Sequence, residues 1–210
     1  MTPLGSWANC RRKGIPLSRT FIITDTHFDD ALRGELGKVC GRPDDNSQQT
    51  YEHLSNLLKG DLLIHLGDIT LGDSRDVHEK YIRPLSCKKV LVRGNHDGKS
   101  NSWYLEHGWD FVCDSFINRY LGMRVLFSHI PSKIPADIHL NIHGHFHNIP
   151  VPMIRQYDRE ALERTTMRHL CLSLEDMGYK PWLLDDVLKS HYQGKKVKGI
   201  RIVSEELDIG

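Results

Sequence analysis

Residues 89–97 read Lys89-Val90-Leu91-Val92-Arg93-Gly94-Asn95-His96-Asp97, a short apolar run that turns at once into amide, imidazole and carboxylate side chains. An apolar run of this length, followed closely by glycine, predicts a buried strand. In open α/β sheets, ligands bind beyond the carboxyl ends of the strands. Working outward, the same arrangement recurs. The strand predicted at Thr20-Phe21-Ile22-Ile23-Thr24 runs into Asp25-Thr26-His27. Leu62-Leu63-Ile64-His65-Leu66 runs into Gly67-Asp68, and Met123 to Phe127 runs into Ser128-His129. His139-Leu140-Asn141-Ile142 runs into His143-Gly144-His145-Phe146-His147. Five strand ends that carry metal-type ligands predict one shared site.

The side-chain types fix the kind of site. Imidazole, carboxylate and amide oxygen suit manganese, iron or zinc without any thiolate. In D-x-H and H-x-H, residues two apart fall on the same side of an extended segment. Glycines before Asp68, Asn95 and His145 are read as sharp turns at the strand ends. Asp25, His27, Asp68, Asn95, His129, His145 and His147 make more donors than one tetrahedral zinc takes. They suit two metals that share a carboxylate. His65 and His143, beside the motifs, are read as supporting or core histidines.

Elsewhere the pattern alternates between strand and helix, as in an α/β or mixed layered domain. Tyr51, Leu54, Leu57 and Leu58 recur at helical spacing, with Gly60 as a C-terminal stop. Asp73-Ser74 can cap a helix carrying Val77, Tyr81 and Ile82 that Pro84 ends. Phe116–Tyr120 and Met123–Phe127 flank Leu121-Gly122 as a hairpin. A further strand is predicted at His169–Leu174, a helix at Leu183–Ser190 and an edge strand at Ile200–Val203. The chain has 210 residues, enough for one domain with its own core. We read residues 1–210 as one domain, with a motif-bearing core at 20–150 and an extension at 151–210. Hydrophobic residues are 39% and charged residues 26%, which excludes a disordered acidic chain, and no apolar run is long enough to span a bilayer. Net charge is +1, so bulk attraction to nucleic acid is not implied. Five cysteines without a C-x-x-C pair fit a reducing cytosol better than a disulfide framework. The basic start, with Arg11, Arg12 and Lys13, has no apolar stretch behind it and does not read as a secretory leader.

The set D-x-H, G-D, G-N-H-D, H and G-H-x-H, in this order from Phe21 to Asn148, resembles the calcineurin-like metallophosphoesterase superfamily. The resemblance implies a four-layer αββα sandwich with a two-metal site at one edge, at the carboxyl ends of the strands. It implies that Asp25, His27 and His147 hold one metal, that Asn95, His129 and His145 hold the other, and that Asp68 bridges. It makes His96 the unliganded catalytic histidine, with Asp97 orienting it. Gly67-Asp68-Ile69-Thr70-Leu71-Gly72 and the closing Asp97 depart from the Asp-Arg-Gly and G-N-H-E signatures of the protein Ser/Thr phosphatases. Arg42-Pro43 and Tyr179-Lys180-Pro181 are more similar to the small single-domain phosphoesterases of bacteria and phages.

The implied activity is phosphoric ester hydrolysis by a metal-bridged hydroxide, with phosphodiesters favoured over monoesters and nucleotide pyrophosphates. Two divalent transition-metal ions are implied, manganese first, with iron, zinc or nickel as alternatives. His96 would assist the leaving oxygen. Arg42 is read as a bidentate contact to the substrate's distal phosphate. The expected partner is a small phosphorylated substrate, without a membrane, in the cytoplasm. The competing classes are a nuclease or nucleic-acid binder, and a non-catalytic scaffold on the same fold. The first would need a basic, aromatic-lined groove, for which Arg11-Arg12-Lys13 and Lys195-Lys196-Val197-Lys198 are the candidates. The second would have lost ligands, and this chain keeps all seven and His96.

Overall fold

A computed structural model of the chain describes residues 18–30, 38–72, 74–194 and 200–204. The basic start, Asp73 and the Lys195–Lys198 run lie outside the described residues. Two five-stranded sheets form the centre. The first holds β1 (Thr20–Ile23), β2 (Leu62–His65), β3 (Lys88–Val92), β4 (Phe111–Cys113) and β9 (Trp182–Leu183), in the order β4-β3-β2-β1-β9. The second holds β5 (Ser115–Tyr120), β6 (Met123–Ser128), β7 (Leu140–His143), β8 (His169–Leu172) and β10 (Ile200–Arg201), in the order β10-β8-β7-β6-β5. Strands β1 to β4 run parallel, as do β6 to β8. The carboxyl ends of the ligand-bearing strands therefore point the same way within each sheet.

Side-chain alternation builds the layers. On the first sheet, Ile22, Ile64 and Val92 face Val125, Phe127, Leu140, Ile142, Leu170 and Leu172 of the second, forming the core between sheets. Helix α6 (Leu184–Tyr192) joins that core through Leu184, Val187 and Leu188. The opposite parity, Ile23, Leu63 and Leu91, faces an outer helical layer. That layer contains α1 (Asn46–Ser55), α2 (Arg75–Val77, continuing into a π-helical turn at His78–Ile82) and α3 (Asn101–Glu106). On the far side, Cys171 of β8 packs against α4 (Val151–Tyr157) and α5 (Arg159–Glu163) through Ile154, Ala161 and Leu162. Helices, sheet, sheet and helices make the αββα sandwich. Burying each large aliphatic side chain contributes roughly 1.5–3 kcal/mol, so all three clusters hold the layers together.

Several elements differ from the sequence reading. Helix α1 starts five residues before Tyr51, at Asn46, whose amide side chain donates to Pro43 O at 2.7 Å. It ends at Ser55, so Gly60 belongs to the turn before β2 and is not the helix stop. Leu57 reaches the core from that turn, which is why its spacing looked helical. Ser74 caps α2 as expected, its hydroxyl accepting from Val77 N. In the hairpin, Leu121 and Gly122 both have positive φ, 48° and 83°, as a type I′ turn demands. Strand β8 stops at Leu172 because Ser173 turns to bond Glu175. Elements α3, β4, α4, α5 and β9 had no counterpart in the sequence reading. β4 and β9 are three and two residues long, too short for periodicity to register.

Candidate metal centre

The strand ends converge as the motif order required. Asp25, His27 and His147 each offer a donor atom within 4.8 Å of the others, and Asp68, His129 and His145 form a second such group. Asp68 stands between the two. Its Oδ2 lies 3.2 Å from His129 Nε2 and 3.7 Å from His27 Nε2. Asn95 joins the second group, its Oδ1 lying 3.0 Å from His129 Nε2. All seven predicted ligands are thus brought together.

The backbone that carries them is unusual. Asp25, His27, Asp68, His145 and His147 all have φ between 43° and 72°, in the left-handed region. Non-glycine residues rarely adopt it, and such strain gathers at functional sites. The loops also approach very closely. A Cβ on Gly94 would lie 2.1 Å from Asp68 Oδ1, and one on Gly144 would lie 2.3 Å from Asp25 Oδ2. Neither of these glycines has positive φ. Their role is to leave room for a carboxylate, and the expected sharp turn is found only at Gly67.

Charge and hydrogen bonding favour cations here. His27 is 3% exposed, and its two ring nitrogens face the carboxylates of Asp30 at 3.4 Å and Asp68 at 3.7 Å, too loosely for well-formed hydrogen bonds. A buried imidazole held this loosely has a lone pair to offer a cation. Burial works against a proton on His129, but the Asp68 and Asp25 carboxylates raise it to about 9. Burial also pushes the Asp68 and Asp25 carboxyls up, and the surrounding imidazoles outweigh that and hold both below the usual range. The pocket is therefore rich in carboxylate charge and lined with imidazoles, a donor set suited to divalent transition metals. His129 Nδ1 lies 2.6 Å from Leu66 O, which leaves Nε2 facing the carboxylates.

His96 stands at the rim with its side chain 42% exposed. Its backbone N donates to Asp68 Oδ1 at 3.0 Å, and its ring Nε2 is 3.9 Å from Asp68 Oδ2. Asp97 does not orient it. The Asp97 carboxylate turns inward and accepts from Asp68 N, Ile69 N and Gly94 N, tying two ligand loops together. Burial pushes Asp97 up to about 6. Arg42 also departs from expectation. Its side chain is 3% exposed and donates to Asp25 O, Thr26 O and Glu175 Oε1 at 2.6, 3.0 and 2.7 Å. The guanidinium is spent on the protein and does not face a substrate.

His65 and His143 are fully buried and held neutral, pushed down to about 3 by burial. Gly67 N donates to His65 Nδ1, so Nε2 carries the proton toward Thr26 Oγ1 at 3.0 Å.

Three carboxylates around the ligands were missed. Asp30 Oδ2 is 3.4 Å from His27 Nδ1, Asp158 Oδ2 is 2.9 Å from His145 Nε2, and Glu175 Oε1 is 3.0 Å from His147 Nδ1. Glu175 lies just past β8, so the strand-end rule that found the other residues could have found it. Asp158, between two helices, carried no such signal. Cys40, His147 and Glu175 form a third set of donors within 4.8 Å. Arg42 puts its own positive charge there, 3.3 Å from His147 Nδ1, and burial pushes the Cys40 thiol up to about 12. The Arg42 charge and the protonated thiol disfavour a cation there, and Arg42, His147 and Glu175 are joined by hydrogen bonds instead.

The chain is similar to known proteins in sequence and in fold. An uncharacterized protein of Methanocaldococcus jannaschii, MJ1445, is 26% identical over 195 residues, spanning 88% of this chain and 97% of that one. The crystal structure of a protein of unknown function from Aquifex aeolicus, AQ665, is 24% identical and superposes with a TM-score of 0.59 over 82% of this chain and 99% of that one. The description of the calcineurin-like phosphoesterases matches residues 18–198. The chain belongs to that family, whose members are metal-dependent phosphoester hydrolases.

Proposed function

We propose that this chain hydrolyses phosphate esters at a site for two divalent cations, one held by Asp25, His27 and His147, the other by Asn95, His129 and His145. Asp68 stands between the two groups and is assigned the bridge. The observation that carries this reading is the Asp68 carboxylate, within 3.9 Å of imidazoles from three different loops. When bound, the two cations supply a water acidified to act near neutral pH and neutralise the charge on the phosphoryl oxygens.

The chain's own residues supply the rest. The tie from His96 N to Asp68 fixes the backbone of His96 against the bridging carboxylate. Its ring is then positioned to hold a proton at the leaving oxygen. Asp97 keeps the Gly67 and Gly94 loops in register and gives His96 no direct contact. Arg42 locks Asp25 and Thr26 from below, so its role is to hold the first ligand loop in shape. His96 stands at an open rim with its side chain 42% exposed, and this openness is our basis for preferring diesters. Manganese is the first choice of metal, and the cytoplasm the expected compartment. No helix among the described residues is long and apolar enough to cross a membrane.

The test is metal-reconstituted protein offered aryl phosphate monoesters, aryl phosphodiesters and nucleotide pyrophosphates. Diester hydrolysis that appears with Mn(II) and stops on chelation is expected. Turnover of monoesters alone would remove the diester preference. No turnover of any ester, with two ions bound, would remove the enzyme reading.

A further inference from the structure

The segment His143-Gly144-His145-Phe146-His147 gives one histidine to each cation position, and each of these rings touches a carboxylate on its far side. His147 Nδ1 lies 3.0 Å from Glu175 Oε1, while its Nε2 faces Asp25 Oδ1 at 3.8 Å. His145 has the reverse orientation, with Nε2 2.9 Å from Asp158 Oδ2. An ionised carboxylate only accepts, so it fixes the proton on the nitrogen it touches and leaves the other lone pair for a metal.

We infer that Glu175 and Asp158 are the positioning residues of the two cation positions. Glu175 sets His147 to bind through Nε2, and Asp158 sets His145 to bind through Nδ1. The inference rests on the two-cation reading above. The two carboxylates are held differently. The Glu175 side chain is 4% exposed, takes a second bond from Arg42 Nε at 2.7 Å, and accepts from Ser173 Oγ on its other oxygen at 2.8 Å. Arg42 in turn holds the backbone of Asp25 and Thr26. Glu175 thus fixes the His147 ring and, through Arg42, the loop of two other ligands of the same cation. Asp158 has a 26% exposed side chain, and its other oxygen accepts from Ala161 N at 2.9 Å as the cap of α5. Among the described residues, its tie to the site runs through His145. Glu175 therefore braces its position at several points, and Asp158 braces its own through one ring.

The experiment uses the full chain stripped by chelation and titrated with Mn(II) and Zn(II) by calorimetry. Histidine ¹⁵N spectra are then recorded on the Zn(II)-loaded protein. The wild type should bind two ions. Glu175→Gln should weaken one of the two steps by about 10–100-fold and leave the other, and Asp158→Asn should weaken the other step by a similar factor. In the spectra, the Nδ1–H of His147 should shift only in Glu175→Gln, and the Nε2–H of His145 only in Asp158→Asn. If Glu175→Gln fails to fold for want of a partner to Arg42, the more exposed Asp158 carries the test. Unchanged affinity at both steps with a lower melting temperature would make the two carboxylates merely structural and overturn the inference. A wild-type chain that takes up fewer than two ions would instead remove the two-cation reading, and the inference with it.

Discussion

At the scale of the residue, charge and ring orientation decide what each group does. Asp68 stands between the two donor groups and is the proposed bridge, so Asp68→Asn should lower occupancy at both, whereas loss of a terminal ligand should empty one. Elemental analysis decides it: two full positions with activity retained would take Asp68 out of the bridge. His96 separates catalysis from binding. His96→Ala or His96→Gln should keep two ions and the fold and cost about 10²–10⁴ in rate. The loss should be smaller for an aryl ester, whose phenolate leaves without help, than for an alkyl ester. Equal losses across leaving groups would place His96 on the phosphoryl oxygens. The seven residues proposed as ligands and His96 could be picked out of the sequence, and the structure brings them together, because each follows a predictable strand end. The roles of Asp97 and Arg42 were misread because direction is invisible there. Asp97 turns toward three backbone N–H groups and Arg42 toward two carbonyls, and only the folded loops show it.

At the scale of the element, the long strands of the two sheets and the hairpin were readable, since apolar runs between glycines have a strong pattern. The two-residue β9 and the pair α4–α5 were not. Helix α4 begins with Pro150 as its N-cap and Pro152 in its first turn, where proline is tolerated, so its start carries no periodic signal. Asp158 went unseen with them. The closeness of the loops yields a prediction at this scale. Gly144→Ala drives a Cβ against Thr24 Oγ1 and Asp25 Oδ2, while the strands themselves keep their pairing. The variant should stay folded by circular dichroism but lose the cation held by Asp25. Full binding of both ions in a folded Gly144→Ala protein would mean that the β1 and β7 loops can separate at little cost.

At the scale of the whole molecule, the apolar clusters between and outside the sheets do not depend on the site. Chelation should therefore abolish activity without unfolding the chain, and added metal should raise the melting temperature by mass action. A random-coil spectrum after chelation would make the metals structural. In the metal-free protein, buried His65 and His143 stay neutral down to about pH 3, whereas the unfolded chain protonates them near 6.5. Depressed folded values mean that stability is lost as pH falls from about 6.5 toward 3. Urea midpoints at pH 7 and pH 4.5 should show the fall, and His143→Leu should reduce it. An unchanged slope in that variant would assign the acid sensitivity to other groups. The pairing of β9 with β1 has a consequence in time. It joins Trp182 and Leu183 to Ile22 and Phe21, so the first sheet closes only when both ends of the described chain are available. A nascent chain exposes Asp25 and His27 early, but Glu175 emerges long after the histidine it fixes. Contacts this distant in sequence form slowly. A cation captured by Asp25 and His27 before His147 and Glu175 emerge would meet a half-built cage.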